Sequence, residues 1–420
     1  MSDALRAEIA RLIALRRAAP IEKARYFWPL ARPAWTVDEC EAALLPWIEA
    51  QTTMWERTKD FEATFARAFG YDSAALCNSG SSADLLAALL LRESMANIPG
   101  TVLVPAVTWP TQVWACLMAG LTVRLVDVDP ITLTAHPNAI LDAAEEEERA
   151  RRVPIGLFVT HLLGLPWDMT ATRAATEHLS IALVEDCCEA LGAAWQGQPV
   201  GTFGLAGTHS LFVAHHCSTG EGGVTGINDQ ADLPFVRAAR AHGWTRNCDD
   251  VTPWADELAD WRGDPRYTFV TWGGNFRPTE SQAAVGLRQL ERWPAIREAR
   301  ARVAARMLAA LADAPGCRVP QPLVGATPSW FAVPILCESE AARSALVDRL
   351  EAQGIETRAI VAGNLARQPA LAYGQFRDRV TRGALPGADV IHDCGCYVGI
   401  LPDATESELC RIEEVLAHGV

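Results

Sequence analysis

The run Ser210-Leu-Phe-Val-Ala-His215-His216-Cys-Ser-Thr-Gly220-Glu-Gly-Gly223 sets two imidazoles before a glycine-rich turn. Histidine titrates near neutral pH, so His215 could take a proton from a reacting atom and return it. Upstream, Val184-Glu185-Asp186-Cys187-Cys188-Glu189 ends an apolar stretch on a carboxylate and places a second one three residues on. Asn78-Ser79-Gly80-Ser81-Ser82-Ala83 joins a strand pattern to a helix pattern through hydroxyls and a glycine. Such a turn aims unpaired backbone N–H groups at one point, where a dianionic phosphate is stabilised. Each signal has an ordinary reading beside it: a serine-capped helix, two solvated loop acids, a buried structural histidine. Cys187, Cys188, His215, His216 and Cys217 also offer thiolate and imidazole to zinc or iron. Adjacent residues of one strand point to opposite faces, however, which makes poor ligand spacing. Amine chemistry is scarce, because the chain's only lysines are Lys23 and Lys59 and nothing beyond Lys59 can form a Schiff base.

Short apolar runs at 73–77, 101–105, 122–128, 153–160 and 181–185 predict strands, and 82–93, 111–118, 137–149 and 170–179 predict helices between them. The alternation implies an α/β fold with a mostly parallel sheet covered on both faces, binding its ligands at the carboxyl ends of strands. A long amphipathic pattern over 279–311, interrupted near Trp293-Pro294, leads out of this region. Beyond it, patterns at 330–336, 340–352, 357–360, 397–400 and 406–416 predict a small C-terminal α+β domain. The expected division is an N-terminal helical segment over 1–34, a large domain over 35–290 and a small one over 291–420.

With 51 acidic against 37 basic residues, a net charge of −14 and no basic stripe, the chain lacks a nucleic-acid or anionic-membrane footprint. No apolar run approaches the ~20 residues of a membrane span, and the opening Met1 to Arg17 has no cleavage-site pattern, so a cytoplasmic protein is expected. The 12 cysteines are scattered, which predicts reduced thiols and no disulfide frame.

The segment from Ser210 to Gly223 resembles the cofactor-lysine motif of the DegT/DnrJ/EryC1 sugar aminotransferase family, Ser-Phe-x-x-x-Lys followed by Gly-Glu-Gly-Gly, with His215 at the lysine position. The other motifs follow in the family order from about Trp35 to Pro402. The resemblance implies the pyridoxal-phosphate aminotransferase fold, fold type I, with the large domain holding the cofactor. It places Gly80, Ser81, Ser82 and Ser210 on the phosphate, Asp186 at the pyridinium nitrogen and Glu189 near the phenolic oxygen. A carboxylate facing that nitrogen keeps it protonated, and a protonated ring is an electron sink. Pro105-Ala-Val-Thr108-Trp109-Pro110 resembles the loop whose aromatic stacks on the ring, giving that role to Trp109; among 14 tryptophans, core packing is the ordinary alternative. Asn275-Phe276-Arg277 resembles the element that crosses to the neighbouring subunit's phosphate, which implies a homodimer with shared active sites and Asn275 as the crossing ligand.

Within the family, a His-His pair at the lysine position marks the 3-dehydratase subgroup, which deoxygenates C3 of nucleotide-linked 4-keto-6-deoxyhexoses. This implies free pyridoxamine 5′-phosphate, interconverting with pyridoxal 5′-phosphate, a nucleotide-linked ketosugar substrate and glutamate as amino donor. It makes His215 the base for the C4′ proton and the helper of the departing C3 hydroxyl; His216 receives no step. Lysine-free chemistry on another carbonyl substrate, or a non-catalytic cofactor-binding partner, are the alternatives. One branch of the subgroup carries an iron–sulfur cluster. Here Cys188 and Cys248 match two of its cysteines, Asp250 stands at a third, and the next cysteine is Cys317. A cluster wants four good ligands, so neither a cluster nor a reductase partner is expected, and hydrolytic release of a 3-deoxy-4-keto sugar with ammonia is favoured. Cys394-x-Cys396 is read as packing. Phe212 and the loop Thr53-Met-Trp55-Glu-Arg57 depart from the family pattern and bear on substrate identity.

Overall fold

A computed structural model describes residues 3–18, 26–32, 35–372 and 376–419. Part of the expected N-terminal segment, 19–25 with Lys23, therefore lies outside the described residues, as do 33 and 34. The principal strands are β1 (Ser73–Cys77), β2 (Thr101–Pro105), β3 (Thr122–Val126), β4 (Pro154–Thr160), β5 (Ala182–Asp186), β6 (Ala206–Ser210), β7 (Gly223–Ile227), β8 (Cys317–Arg318), β9 (Ala332–Cys337), β10 (Thr357–Ala359), β11 (Val380–Arg382) and β12 (Gly395–Gly399). The principal helices are α1 (Asp3–Ala18), α2 (Val37–Ile48), α3 (Glu56–Phe69), α4 (Gly80–Ser94), α5 (Thr111–Met118), α6 (Pro137–Arg149), α7 (Met169–Leu179), α8 (Leu233–Arg240), α9 (Glu280–Leu311), α10 (Glu340–Ala352), α11 (Pro386–Cys394) and α12 (Glu406–Ala417).

Eight strands form one sheet in the order β1-β7-β6-β5-β4-β2-β3-β11. All neighbours pair parallel except β7, which runs antiparallel to both β1 and β6. The strands β1, β2, β4 and β5 are apolar runs with every or nearly every residue buried, the pattern of a sheet covered on both faces. Because these strands are parallel, the residues after Cys77, Pro105, Thr160, Asp186 and Ser210 emerge along one edge, where the sequence places its polar motifs. Helix starts are fixed by side-chain caps: Ser79 accepts from Ser82 N at α4, and Thr279 forms a capping box with Gln282 at α9.

A second sheet of four strands, β8-β9-β12-β10, is antiparallel throughout and is covered by α10, α12 and the C-terminal half of α9. Trp28, fully buried, joins the core of this layer and donates from its indole to Gly399 O at 2.8 Å. The region after residue 290 is not confined to this layer, since β11 pairs with β3 and extends the large sheet. The expected interruption of the long helix is not observed: α9 runs unbroken from Glu280 to Leu311 with Pro294 inside it. Proline there forfeits one backbone hydrogen bond, and packing of Trp293 against Phe69 and of Val303, Ala304 and Met307 in the C-terminal core holds the axis together. Among the described residues no helix is long and apolar enough to cross a membrane.

Candidate active site

The strand ends open onto a cleft of about 610 Å³, the size of a cofactor or small-ligand site. Ser79, Gly80, Ser81, Trp109, Asp186, Glu189, Ser210 and His215 all lie on its wall. Gly80 is required there, because a Cβ would come 2.8 Å from the Ser210 Cβ and 3.2 Å from the Cys188 sulfur. This closeness brings the N-terminus of α4 against the end of β6, so that Ser81 and Ser210 flank free N–H groups of the first helical turn. Ser82 departs from the expectation. Its hydroxyl donates to Asn78 Oδ1 at 2.6 Å and its N–H to Ser79 Oγ at 3.2 Å, so it completes the cap and is not on the cleft wall.

Alternation along β5 sends neighbouring acids to opposite faces. Glu185 turns away from the cleft and accepts from the N–H groups of Gly201, Phe203 and Gly204 and pairs with His161. Asp186 faces the cleft, with Oδ1 accepting from Cys188 N at 2.8 Å and Oδ2 from the Gln112 side chain at 2.5 Å. Burial holds its pKa above the ordinary carboxylate value, against those two donors and the field of His161. Glu189 accepts from Leu163 N at 2.8 Å and is pushed up to about 7 by burial. Leu163 meets it with a positive φ of 51°, a conformation uncommon for leucine.

His215 forms part of the opposite wall, in a turn after Phe212, whose carbonyl accepts from His215 N at 2.9 Å. Its ring packs against Phe331 at a centroid distance of 5.0 Å, its Nδ1 is enclosed without a partner, and the side chain lines the cleft. Burial, and then the charge of Arg300, push it down to about 3. It is therefore neutral at physiological pH, the form a base requires, and lower in basicity than an imidazole in water. Trp109 stands 55% exposed at the cleft and is not a core residue. Asn275 does not line its own chain's cleft; its Oδ1 accepts from Arg277 Nε at 2.8 Å. Lys59 is also remote, exposed on α3 beside Glu56 at 3.5 Å.

Several residues on or behind the cleft wall escaped the sequence reading. Gln112 is fixed by the hydroxyls of Thr108 and Thr160, which donate to its Oε1 and so turn its amide N–H toward Asp186. Asp84, fully buried and held by Thr111 and Thr208, brings a second carboxylate to Asp186 and has its own pKa raised, by burial first and then by Asp186. Its signal was available, one helical turn after Gly80 on the same face of α4. Arg358 on β10 and Tyr397 on β12 line the mouth, and nothing in their local sequence marks them. The five residues weighed as a metal set do not come together: Cys187 joins an apolar cluster with Ala190, Ala193 and Val200, while Cys217 packs in another with Leu211. Cys188 is on the cleft wall, whereas Cys248 donates to Pro234 O beside α8. Cys396 is buried between β9 and β10.

Comparisons with known proteins agree with this arrangement. The DegT/DnrJ/EryC1/StrS aminotransferase family matches residues 38–417. GDP-4-keto-6-deoxy-D-mannose 3-dehydratase of Yersinia pseudotuberculosis is 33% identical over 377 residues, covering 89% of this chain and 93% of its own. dTDP-4-dehydro-2,6-dideoxy-D-glucose 3-dehydratase of Saccharopolyspora spinosa is 33% identical over 393 residues, 89% of this chain and 82% of its own. Among solved structures, the E. coli GDP-4-keto-6-deoxy-D-mannose-3-dehydratase with bound hydrated PLP superposes with a TM-score of 0.82 at 30% identity, covering 93% of this chain and 99% of that one. The same enzyme type with a trapped PLP–glutamate geminal diamine gives 0.80 at 30% identity, covering 93% of this chain and all of that one. By sequence match and by fold, the chain belongs to the DegT/DnrJ/EryC1/StrS aminotransferase family.

Proposed function

We propose that the protein uses pyridoxamine 5′-phosphate, interconverting with pyridoxal 5′-phosphate, to remove the C3 hydroxyl of a nucleotide-linked 4-keto-6-deoxyhexose, with His215 moving the proton. One observation carries the reading: a cleft whose wall holds Gly80, Ser81, Ser210 and the buried carboxylate of Asp186 presents an imidazole, His215, at the lysine position of the cofactor-lysine motif that residues 210–223 resemble. The residues present suit a phosphorylated pyridine. Gly80, Ser81 and Ser210 offer backbone and hydroxyl donors to the phosphate, Asp186 offers a carboxylate to the ring nitrogen, and Trp109 is free to lie over the ring. When bound, the group supplies an amine for the sugar ketone and an electron-accepting ring.

His215 enters the reaction neutral and takes the proton from C4′ at Nε2; the resulting imidazolium can then protonate the departing C3 oxygen. Asp186 holds a proton on the ring nitrogen, its anionic form supported by Gln112 and Cys188 N–H. Glu189, pushed up to about 7, is half-protonated near neutrality and can donate to an oxygen lying over it. The apolar wall of Leu162, Phe212 and Phe331 keeps bulk water from the base. Arg358 is the guanidinium at the mouth and suits a sugar-nucleotide diphosphate. In the overall reaction glutamate is oxidised to 2-oxoglutarate, ammonia is released and the sugar loses one oxygen. Hydrolytic release needs no reductase, and Cys188 is the single cysteine on the cleft wall among the described residues.

The active unit is read as a homodimer in which Asn275 serves the neighbouring cleft. Exposed Tyr267, Phe269 and Trp272, which lead up to it, support a face that another copy covers. Turnover tests the function: protein, pyridoxal phosphate, glutamate and a GDP-4-keto-6-deoxyhexose are expected to yield the 3-deoxy-4-keto sugar, 2-oxoglutarate and ammonia. Aminated sugar with its C3 oxygen retained would instead identify a transaminase. The variant His215→Lys is expected to hold pyridoxal phosphate as a borohydride-fixed adduct and to lose dehydration.

A further inference from the structure

Two buried carboxyl groups meet on the cleft wall. Asp84 on α4 and Asp186 at the end of β5 are only 1% and 4% exposed, and an oxygen of each lies within 4.8 Å of the other and of the Cys188 sulfur. Like charges this close and this dry are not both kept, so the pair holds a proton. The donors around it say where. Asp186 accepts from two N–H groups, those of Cys188 and the Gln112 amide, and an N–H can only donate. Asp84 is met instead by two hydroxyls, Thr111 at 2.9 Å from Oδ2 and Thr208 at 2.7 Å from Oδ1, and a hydroxyl can give a hydrogen or take one. Thr208 is fully buried and gives its hydrogen to Oδ1. Thr111 is partly exposed and lines the cleft, so it can accept from an acid O–H on Oδ2 and turn its own hydrogen outward. A proton on Asp84 therefore leaves each of these atoms with a partner, whereas both oxygens of Asp186 already face N–H groups.

We infer that Asp84 is held as a carboxylic acid and Asp186 as the anion, so that the pair turns one negative charge, not two, toward the cofactor's ring nitrogen. Asp84 is a positioning residue: by taking the proton it leaves Asp186 ionised, and it acts on the ring through that carboxylate. Burial raises the pKa of both groups, the charge of Asp186 raises Asp84 further, and the field of His161 favours the anion at Asp186. The thiols that feel Asp84, those of Cys77, Cys116, Cys187 and Cys188, are all pushed up by burial and stay neutral. As the fifth residue of α4, Asp84 sits beyond the first turn, where the field of the helix N-terminus fades. One negative charge matches the one positive charge of a pyridinium and leaves the buried site neutral; a second would remain there unpaired. The action of Asp84 on the ring rests on Asp186 facing the ring nitrogen, as proposed above; the place of the proton does not.

Infrared spectra of the full-length protein, labelled with ¹³C-aspartate and taken without cofactor at neutral pH, test the placement. The label keeps Glu189, itself pushed up to about 7, out of the reading. A labelled carboxylic-acid C=O band is expected in the wild type and is expected to vanish in Asp84→Asn, whose amide keeps both threonine partners. No such band, or one that survives undiminished in Asp84→Asn, would overturn the inference. Neutron diffraction from wild-type crystals reads the same proton without a variant: deuterium on Asp84 is expected, and deuterium on Asp186 would contradict it. With ¹⁵N-labelled pyridoxal phosphate bound, the ring-nitrogen shift in Asp84→Asn is expected to match the wild type, because one neutral group replaces another. A shift toward the unprotonated ring would show that Asp84 adds a charge of its own and would sink the single-charge claim. A ring nitrogen unprotonated in the wild type, with the acid band in place, would instead overturn the role given to Asp186.

Discussion

An imidazole partly enclosed beside the Arg300 guanidinium is a weak base, and His215 at about 3 lies well below a free histidine. A phosphate dianion in the cradle and a diphosphate at Arg358 both bring negative charge into this cleft, which raises the basicity of His215 when the site is filled. The carboxylate side is tuned by Gln112. Gln112→Leu is expected to leave Asp186 one donor short, raise its pKa further and weaken protonation of the ring nitrogen; absorbance titration of bound pyridoxal phosphate measures this, and an unchanged titration would count against the link. The cleft wall was legible where a strand end and a cap bring motif residues together, as at Gly80, Ser81, Asp186, Glu189 and Ser210. A serine at the third position of a capped turn can serve either the ligand or the cap, and the Ser82 hydroxyl donates to Asn78. Arg358 and Tyr397 reach the cleft, and Gln112 the buried Asp186 carboxylate, through tertiary contacts that no local spacing announces.

At the scale of elements, the starts of α3 and α9 are tied by one side chain. Glu280, fully buried, accepts from the N–H groups of Trp55, Arg57 and Thr58 and from the Thr58 hydroxyl, so the first turn of α3 is capped from a distant helix. Glu280→Ala strands those donors and is expected to destabilise the fold by about 3 kcal/mol, read as a fall in the urea midpoint; a shift under ~0.5 kcal/mol would contradict the clamp. This clamp also fixes the Trp55 loop, whose departure from the family pattern the sequence alone could only note. The strand–helix alternation was legible because each buried strand of the large sheet is an apolar run bounded by turns. Two features were not: Pro294 looked like a break because its cost is local while the packing that outweighs it is not, and the three-residue β11 is too short to carry a period.

For the molecule as a whole, three histidines with lowered pKa set the response to acid. His209 and His215 are pushed down to about 3, and His216 well below its ordinary value, chiefly by burial. Their folded pKa values lie below the unfolded 6.5, so the stability they confer is complete above pH 6.5 and is lost as pH falls from 6.5 toward 3. Thermal melts across that range are expected to fall steeply, and His209→Gln to flatten the fall; parallel curves would contradict the linkage. Sedimentation is expected to find a dimer, and Phe269→Glu with Trp272→Glu to yield a monomer that binds the cofactor poorly, whereas a fully active monomer would refute shared sites. The central claim is that His215 moves the C4′ proton in place of a lysine. Its most direct measurement is release to water of tritium from C4′-labelled pyridoxamine phosphate when the ketosugar is added. Release by the wild type, and its loss in His215→Asn with cofactor and sugar still bound, is the predicted result; undiminished release from that variant would contradict the account.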